Sequence, residues 1–166
     1  REIMDVVHEF EEKFHKKIPV IFGGGIFDKK DIEHYLSLGL SGVQMATRFV
    51  ATKECDAAEA FKNMYVKAKA RDVTIVQSPV HMPGRALLNP FVCAVRERRM
   101  PVTNCFHCLK TCDPGTTPYC ITQALIRAVK GDVDHGLVFC GANAWKINKI
   151  TTVHELMQEL TGADKA

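Results

Sequence analysis

Several things are scarce in this 166-residue sequence, and each scarcity removes a class of explanation. No apolar run approaches the roughly 18 residues of a membrane-spanning helix, so a membrane is not an expected partner. No signal-peptide pattern opens the chain, and the expected location is cytoplasmic. A surplus of one charge is also missing: 22 Lys and Arg face 19 Asp and Glu, a net +3. The basic residues are scattered, and their densest group, Arg96, Arg98 and Arg99, reads as a solvated helix end. Nucleic acid is therefore not an expected partner either. There is no internal repeat and no low-complexity segment. Cysteine, by contrast, is plentiful. Seven cysteines without a secretory signal point to reduced thiols, metal ligation or redox chemistry more than to disulfides.

The stretch Ile18–Val50 organises the rest. Ile18 to Phe22 is an apolar run suited to a parallel strand buried on both faces. Gly23, Gly24 and Gly25 follow, and without Cβ atoms their backbone can approach a bound group closely. Asp28 is placed to cap a helix over 28–38 whose apolar residues Ile32, Tyr35, Leu36 and Leu38 share a face, with Gly39 at its end. A second strand over 42–46 leads to Thr47 and Arg48. N–H groups at such a glycine loop and at a helix N-terminus attract phosphate, though the same pattern also serves as a plain tight turn.

Elsewhere, Ile3, Val6, Val7, Phe10 and Phe14 recur at helical spacing and predict a helix over 2–16. Residues 56–70 predict another, with Ala58, Phe61, Met64, Tyr65 and Ala68 inward, and Val73–Val76 predicts a strand. Gln77–Pro90 holds three prolines and a glycine and reads as an ordered loop, with His81 a residue that could line a site. Phe91–Arg99 predicts a short helix. Thr117 and Pro118 read as N-cap and first residue of a further helix with Ile121, Leu125, Ala128 and Val129 inside. Leu137–Cys140 reads as a strand, and Thr152 with Glu155 forms a capping box for a last helix.

Between these elements Cys105, Cys108, Cys112 and Cys120 form C-x2-C-x3-C-x7-C. Closely spaced thiolates suit a soft cation or an iron–sulfur cluster. The short gaps let one turn of backbone aim three sulfurs at a point, and the x7 loop brings the fourth. A [4Fe–4S] cluster is the first expectation. Zinc, with His107 able to replace one thiolate, and plain reduced thiols are the alternatives. Cys55, Cys93 and Cys140 stand apart.

The run PVIFGGGIFDKKDIEHYLSLGLSGVQMATRF resembles the phosphate-binding half of the nitronate monooxygenase family, whose superfamily includes FMN- and NAD(P)H-dependent enoyl-ACP reductases. Gly24, Gly25 and Ile26 match one motif; Val43, Gln44, Thr47, Arg48 and Phe49 match a second, in which Ala46 stands where glycine is usual. The resemblance implies α/β architecture, the C-terminal part of a (β/α)₈ barrel. Residues 1–92 would be the FMN-binding portion and 93–166 a Cys-rich helical extension closing on it. A whole barrel takes about 250 residues, so the chain is expected to be the C-terminal portion of a longer protein, partnered by the remaining N-terminal part of the same barrel.

FMN is the implied cofactor. Its phosphate would be held by Gly24, Gly25, Ala46 and Thr47, with Gly23 allowing close passage, Gln44 reaching phosphate or ribityl oxygens, and Ala142 and Asn143 closing over the flavin. The implied activity is monooxygenase oxidation of alkyl nitronates, a small-molecule substrate. The alternatives are NAD(P)H-dependent enoyl reduction and a non-catalytic phosphate- or metal-binding role. The family's general base is a histidine on an earlier strand's loop, so no catalytic residue is assigned within these 166 residues. The cysteine run is similar to the one holding a [4Fe–4S] cluster in the dienoyl-CoA reductase family, with a shorter last gap.

Overall fold

The computed structural model describes residues 2–80 and 82–162; His81 lies outside the described residues. The chain forms two compact units, one from residues up to 45 together with those from 157 on, the other Ala46–Leu156. No helix among the described residues is long and apolar enough to cross a membrane.

In the first unit, α1 (Glu2–Phe14) precedes β1 (Ile21–Gly23), α2 (Lys29–Ser37) and β2 (Gly42–Gln44). The strands are shorter than expected but run parallel, in register Ile21↔Gly42, Phe22↔Val43 and Gly23↔Gln44. Parallel neighbours require a crossover, and α2 supplies it. Asp28 caps α2 as expected. Its carboxylate accepts from the Asp31 N–H at 3.0 Å, and the Asp31 carboxylate accepts from the N–H of Phe27 at 2.7 Å and of Asp28 at 3.4 Å. Gly39, at φ 91, ends the helix in a conformation that disfavours any side chain.

Helix α1 turns inward only one edge of the apolar set that its spacing suggests. Met4 and Val7 are half-buried, and a Cβ on Gly39 would stand 3.8 Å from the Met4 methyl. Glu11, on the same side, accepts from the Ile18 N–H at 2.8 Å. Ile3, Val6, Phe10 and Phe14 are left as an exposed stripe, and neither α1 nor α2 has a fully buried residue.

In the second unit, α3 (Thr47–Val50) and α4 (Glu59–Lys67) lead to β3 (Val73–Gln77). Phe61 and Tyr65 of α4 are buried as expected. Lys62 is buried too, its ammonium 2.6 Å from Glu59 and donating to the Cys55 carbonyl.

The expected loop over 77–90 is half strand. β4 (Pro83–Leu87) pairs antiparallel with β3, from Val73↔Leu87 to Gln77↔Pro83. Proline is tolerated because it is the first residue of its strand. On the far edge of β4, Leu87 N–H donates to Val138 O and Cys140 N–H to Arg85 O, so Leu137–Cys140 joins by a bridge at Phe139 and not as a separate strand. Gly84 makes this possible: a Cβ there would lie 2.4 Å from the Phe139 ring.

Helix α5 (Pro90–Glu97) starts from Asn89. The Asn89 side chain accepts from the Val92 N–H and donates to the carbonyls of Val133 and Gly136. Arg96 donates to Thr74 and to the Ile75 carbonyl, so it is tied to β3 and is not the merely solvated helix end expected. One core joins Val76, Ala86, Phe91, Val92, Tyr119, Ala124 and Leu137, with the Phe91 and Tyr119 rings edge-on at 5.3 Å.

Helix α6 runs Ile121–Val129, with Cys120 as its N-cap, so Thr117 and Pro118 do not start it. The cause is Tyr119, which is pulled into the core with its hydroxyl donating to the Gln77 carbonyl. Burial of one large ring outweighs a local cap. Ala124 and Ala128 face inward, while Val129 is exposed. The Thr152–Glu155 capping box is present at the start of α7 (Val153–Thr161): Glu155 N–H donates to the Thr152 hydroxyl at 3.1 Å and Thr152 N–H to the Glu155 carboxylate at 3.0 Å.

Candidate functional site

Gly23 closes β1 opposite Gln44, and a Cβ on it would stand 3.3 Å from Gln44 Oε1. A glycine here lets the Gln44 amide lie over the strand end. Gly24 and Gly25 follow at φ 102 and 75. Two left-handed residues in succession turn the chain so that backbone, with no side chain in the way, faces solvent; nothing stands within 4 Å of a Cβ on either. All three glycines are exposed, whereas the next residue, Ile26, is buried and pins the loop. The arrangement fits a bulky anionic group such as a flavin phosphate.

The helix terminus is partly occupied by the chain's own carboxylates. The carboxylates of Asp28 and Asp31 take up the N–H groups of Phe27, Asp28 and Asp31. Negative charge already stands at the start of α2, which weakens the attraction for phosphate that the sequence suggested.

After β2, Ala46 precedes α3 without any side-chain cap. Thr47 is half-buried, and its hydroxyl oxygen accepts from the Gly141 N–H at 2.8 Å. Sequence reasoning missed Gly141. The available signal was a glycine directly following the extended Leu137–Cys140 segment. Next in the chain, Ala142 is exposed, and Ala144–Lys146 form a single turn of 3₁₀ helix.

The cysteine run lies in the second unit. Cys105, Cys108, Cys112 and Cys120 are free thiols, and all four line one cavity, as does His107. His107 has φ 49, and its N–H donates to Cys105 Sγ at 3.4 Å. The Thr122 hydroxyl, another residue the sequence reading passed over, donates to Cys108 Sγ at 3.0 Å. The sulfurs do not converge on a point. Among the described residues no group of three or more His, Cys, Asp or Glu is set to hold a metal ion. Cys55, Cys93 and Cys140 lie apart from the cavity, and burial pushes the Cys140 thiol up to about 11, against a smaller opposing effect of Arg85.

The nitronate monooxygenase family model matches residues 1–163. The chain belongs to the nitronate monooxygenase family, whose members are flavin-dependent oxidoreductases. A probable nitronate monooxygenase of Staphylococcus saprophyticus is 31% identical over 80 residues, 48% of this chain and 22% of that protein. A (3aS,4S,5R,7aS)-5-hydroxy-7a-methyl-1-oxo-octahydro-1H-indene-4-carboxyl-CoA dehydrogenase of Rhodococcus jostii is 34% identical over 70 residues, 42% of this chain and 20% of that one.

Among solved structures, FabK from Thermotoga maritima superposes with a TM-score of 0.71 at 32% identity, over 89% of this chain and 44% of that one. A nitroalkane oxidase from Streptomyces ansochromogenes, at 20% identity and TM-score 0.65, covers 90% of this chain and 40% of that one, and supports the α/β fold alone. The matched region spans about a fifth of these curated relatives and under half of these solved chains.

Proposed function

We propose that this chain is the cofactor-phosphate portion of an FMN-dependent oxidoreductase that oxidises alkyl nitronates with O2. Membership of the nitronate monooxygenase family over residues 1–163 carries the reading. The left-handed Gly24–Gly25 turn adds physical support, because it presents backbone without Cβ where a phosphate has to approach. In this reading Gly24, Gly25, Ala46 and Thr47 bind the phosphate, Gly23 gives Gln44 its place, and Gln44 donates its amide to phosphate or ribityl oxygens. Residues 1–92 form the closing part of a (β/α)₈ barrel, residues 93–166 a cysteine-bearing extension, and the general base comes from outside residues 1–166.

Bound FMN supplies the electron-transfer and oxygen chemistry. The chain's own residues bind and orient. The Thr47 oxygen already accepts from Gly141, which leaves the hydroxyl proton for an anionic oxygen. These donors hold the cofactor equally in ground and transition states, so they set its occupancy and not the barrier.

NAD(P)H-dependent reduction of an enoyl thioester is the second reading. It is favoured by the Rhodococcus relative, whose name specifies a CoA thioester. The test is to purify the protein, identify the chromophore released on denaturation, and compare nitronate-dependent O2 uptake with enoyl-thioester-dependent NAD(P)H oxidation. Stoichiometric FMN with nitronate turnover supports the first reading, and thioester turnover replaces it with the second. A colourless protein that takes up no FMN removes both.

A further inference from the structure

Four thiols and an imidazole, from Cys105, Cys108, Cys112, Cys120 and His107, edge one cavity of about 130 Å³. Much of the remaining wall is apolar, contributed by Val102, Phe106, Leu109 and Ile121. A single water needs only roughly 10–15 Å³ of such space, so the cavity admits an object several atoms across. The flavin reading uses none of these residues.

Two hydrogen bonds and a helix start are directed at these cysteines. The His107 N–H reaches Cys105 Sγ from a left-handed backbone, which a residue other than glycine holds only at a cost. The Thr122 hydroxyl donates to Cys108 Sγ. Cys120 stands at the N-cap of the nine-residue α6, where no side chain caps the helix and its dipole favours an anionic occupant.

The segment joining Cys112 to Cys120 is held as well. Asp113 accepts from the Gly115 N–H at 2.8 Å and the Thr116 hydroxyl at 2.9 Å. Arg99 donates to the carbonyls of Thr117 at 2.9 Å and Pro114 at 2.6 Å.

The chemistry of the lining and its size bear on what kind of occupant fits. A tetrahedral zinc with sulfurs at about 2.3 Å would draw them to roughly 3.8 Å from one another, leaving no room between them. All four cysteines border the same cavity, and among the described residues no group of three is set for one ion. A cluster places each thiolate on a different iron, fills such a space, and gains from apolar walls that exclude solvent. We propose that Cys105, Cys108, Cys112 and Cys120 ligate a [4Fe–4S] cluster in this cavity, with His107 contributing its backbone N–H and not its ring. Ferrous and ferric iron in equal parts, with sulfide, make up the core without net electron transfer, and the thiol protons pass to solvent.

The test is to purify the protein without oxygen, supply both iron states and sulfide, desalt, and assay iron, sulfide and zinc. The expected result is about four iron and four sulfide per chain, with a broad visible band that bleaches on reduction. Cys105→Ser or Cys112→Ser should drop the iron content below half. Cys93→Ser, outside the cavity, should leave it intact, as should His107→Gly, which keeps both the N–H and the left-handed backbone. Zinc in place of iron overturns the proposal, as does absence of iron with all four thiols open to alkylation in the folded protein. Loss of the cluster in His107→Gly overturns the four-thiolate ligand set. The wild-type stoichiometry decides even where a serine variant fails to fold.

Discussion

The Thr47 hydroxyl oxygen and the Gly141 N–H form a hydrogen bond of 2.8 Å that joins residues 94 positions apart. The bond fixes the hydroxyl as acceptor on one side, and a Cβ on Gly141 would stand only 3.0 Å from that oxygen. Thr47→Val should weaken FMN binding by about 0.5–1.5 kcal/mol, or up to about 3 if the lost partner is a charged phosphate oxygen. Thr47→Ser should keep most of the affinity. Gly141→Ala should lose part of it with the hydroxyl still present. Flavin fluorescence titration of the apoprotein measures all three, and wild-type affinity in both Thr47→Val and Gly141→Ala would remove the hydroxyl from the site.

At Gly24 and Gly25 the cost of a side chain is conformational, since φ is 102 and 75 and no atom stands near a Cβ. Each alanine substitution should lower stability by about 1–2 kcal/mol in urea unfolding. Gly25→Val should also abolish FMN retention on purification, whereas Gly25→Asn, which tolerates the left-handed region, should be milder. A Gly25→Val protein that purifies with full flavin occupancy would place the phosphate elsewhere.

Asn89 closes three hydrogen bonds while 6% exposed. Asn89→Ala removes a helix cap worth about 0.5–2 kcal/mol and leaves the Val133 and Gly136 carbonyls without their donor, at about 1–3 kcal/mol for each group so stranded. Asn89→Asp should keep the cap yet set a carboxylate against those two carbonyls, and should do no better. Thermal unfolding of the two variants measures this; an Asp variant near wild type would mean that the carbonyls find water.

Glu155 contributes a pH dependence at the start of α7. The Thr151 hydroxyl, with further bonds from Thr152, lowers its carboxyl from 4.5 to about 2. A depressed carboxyl stabilises the fold above its unfolded value, and that stability fades as pH falls from about 4.5 through about 2. Carboxylate NMR titration should show the low midpoint. Glu155→Gln should flatten the dependence of melting temperature on pH across that window, and an unchanged slope would dismiss the effect.

What the sequence made legible was local. The Asp28 cap, the Thr152–Glu155 box and the glycine stop at Gly39 depend on residues a few positions apart, and all are present. The parallel β1–β2 pair was legible because apolar runs flanked a helix-patterned segment. β4 was not, since Pro83 and Gly84 argue against a strand until Phe139 is set beside them. The start of α6 was misread because Tyr119 is drawn inward from what local rules make the first turn. The face of α1 was only partly legible: Val7 is half-buried as its spacing suggests, and Met4 and Glu11 find neighbours, while Ile3, Val6, Phe10 and Phe14 are left exposed. At the cysteines, spacing announced a shared location, while the cavity they line with Val102, Phe106, Leu109 and Ile121 is a property of packing alone.

The uncovered stripe of α1 has a consequence in time. Among the described residues of the first unit, Ile26 and Leu160 are the fully buried apolar side chains, whereas the second unit encloses a core from Val76 to Leu137. Little burial resists separation of β1 from β2, so their amides should trade hydrogen for deuterium through brief, inexpensive openings. Those of β3, β4 and α6 should wait for a far rarer opening of the whole second unit. Read by its exchange, the chain keeps two clocks, and the glycine turn runs on the faster one.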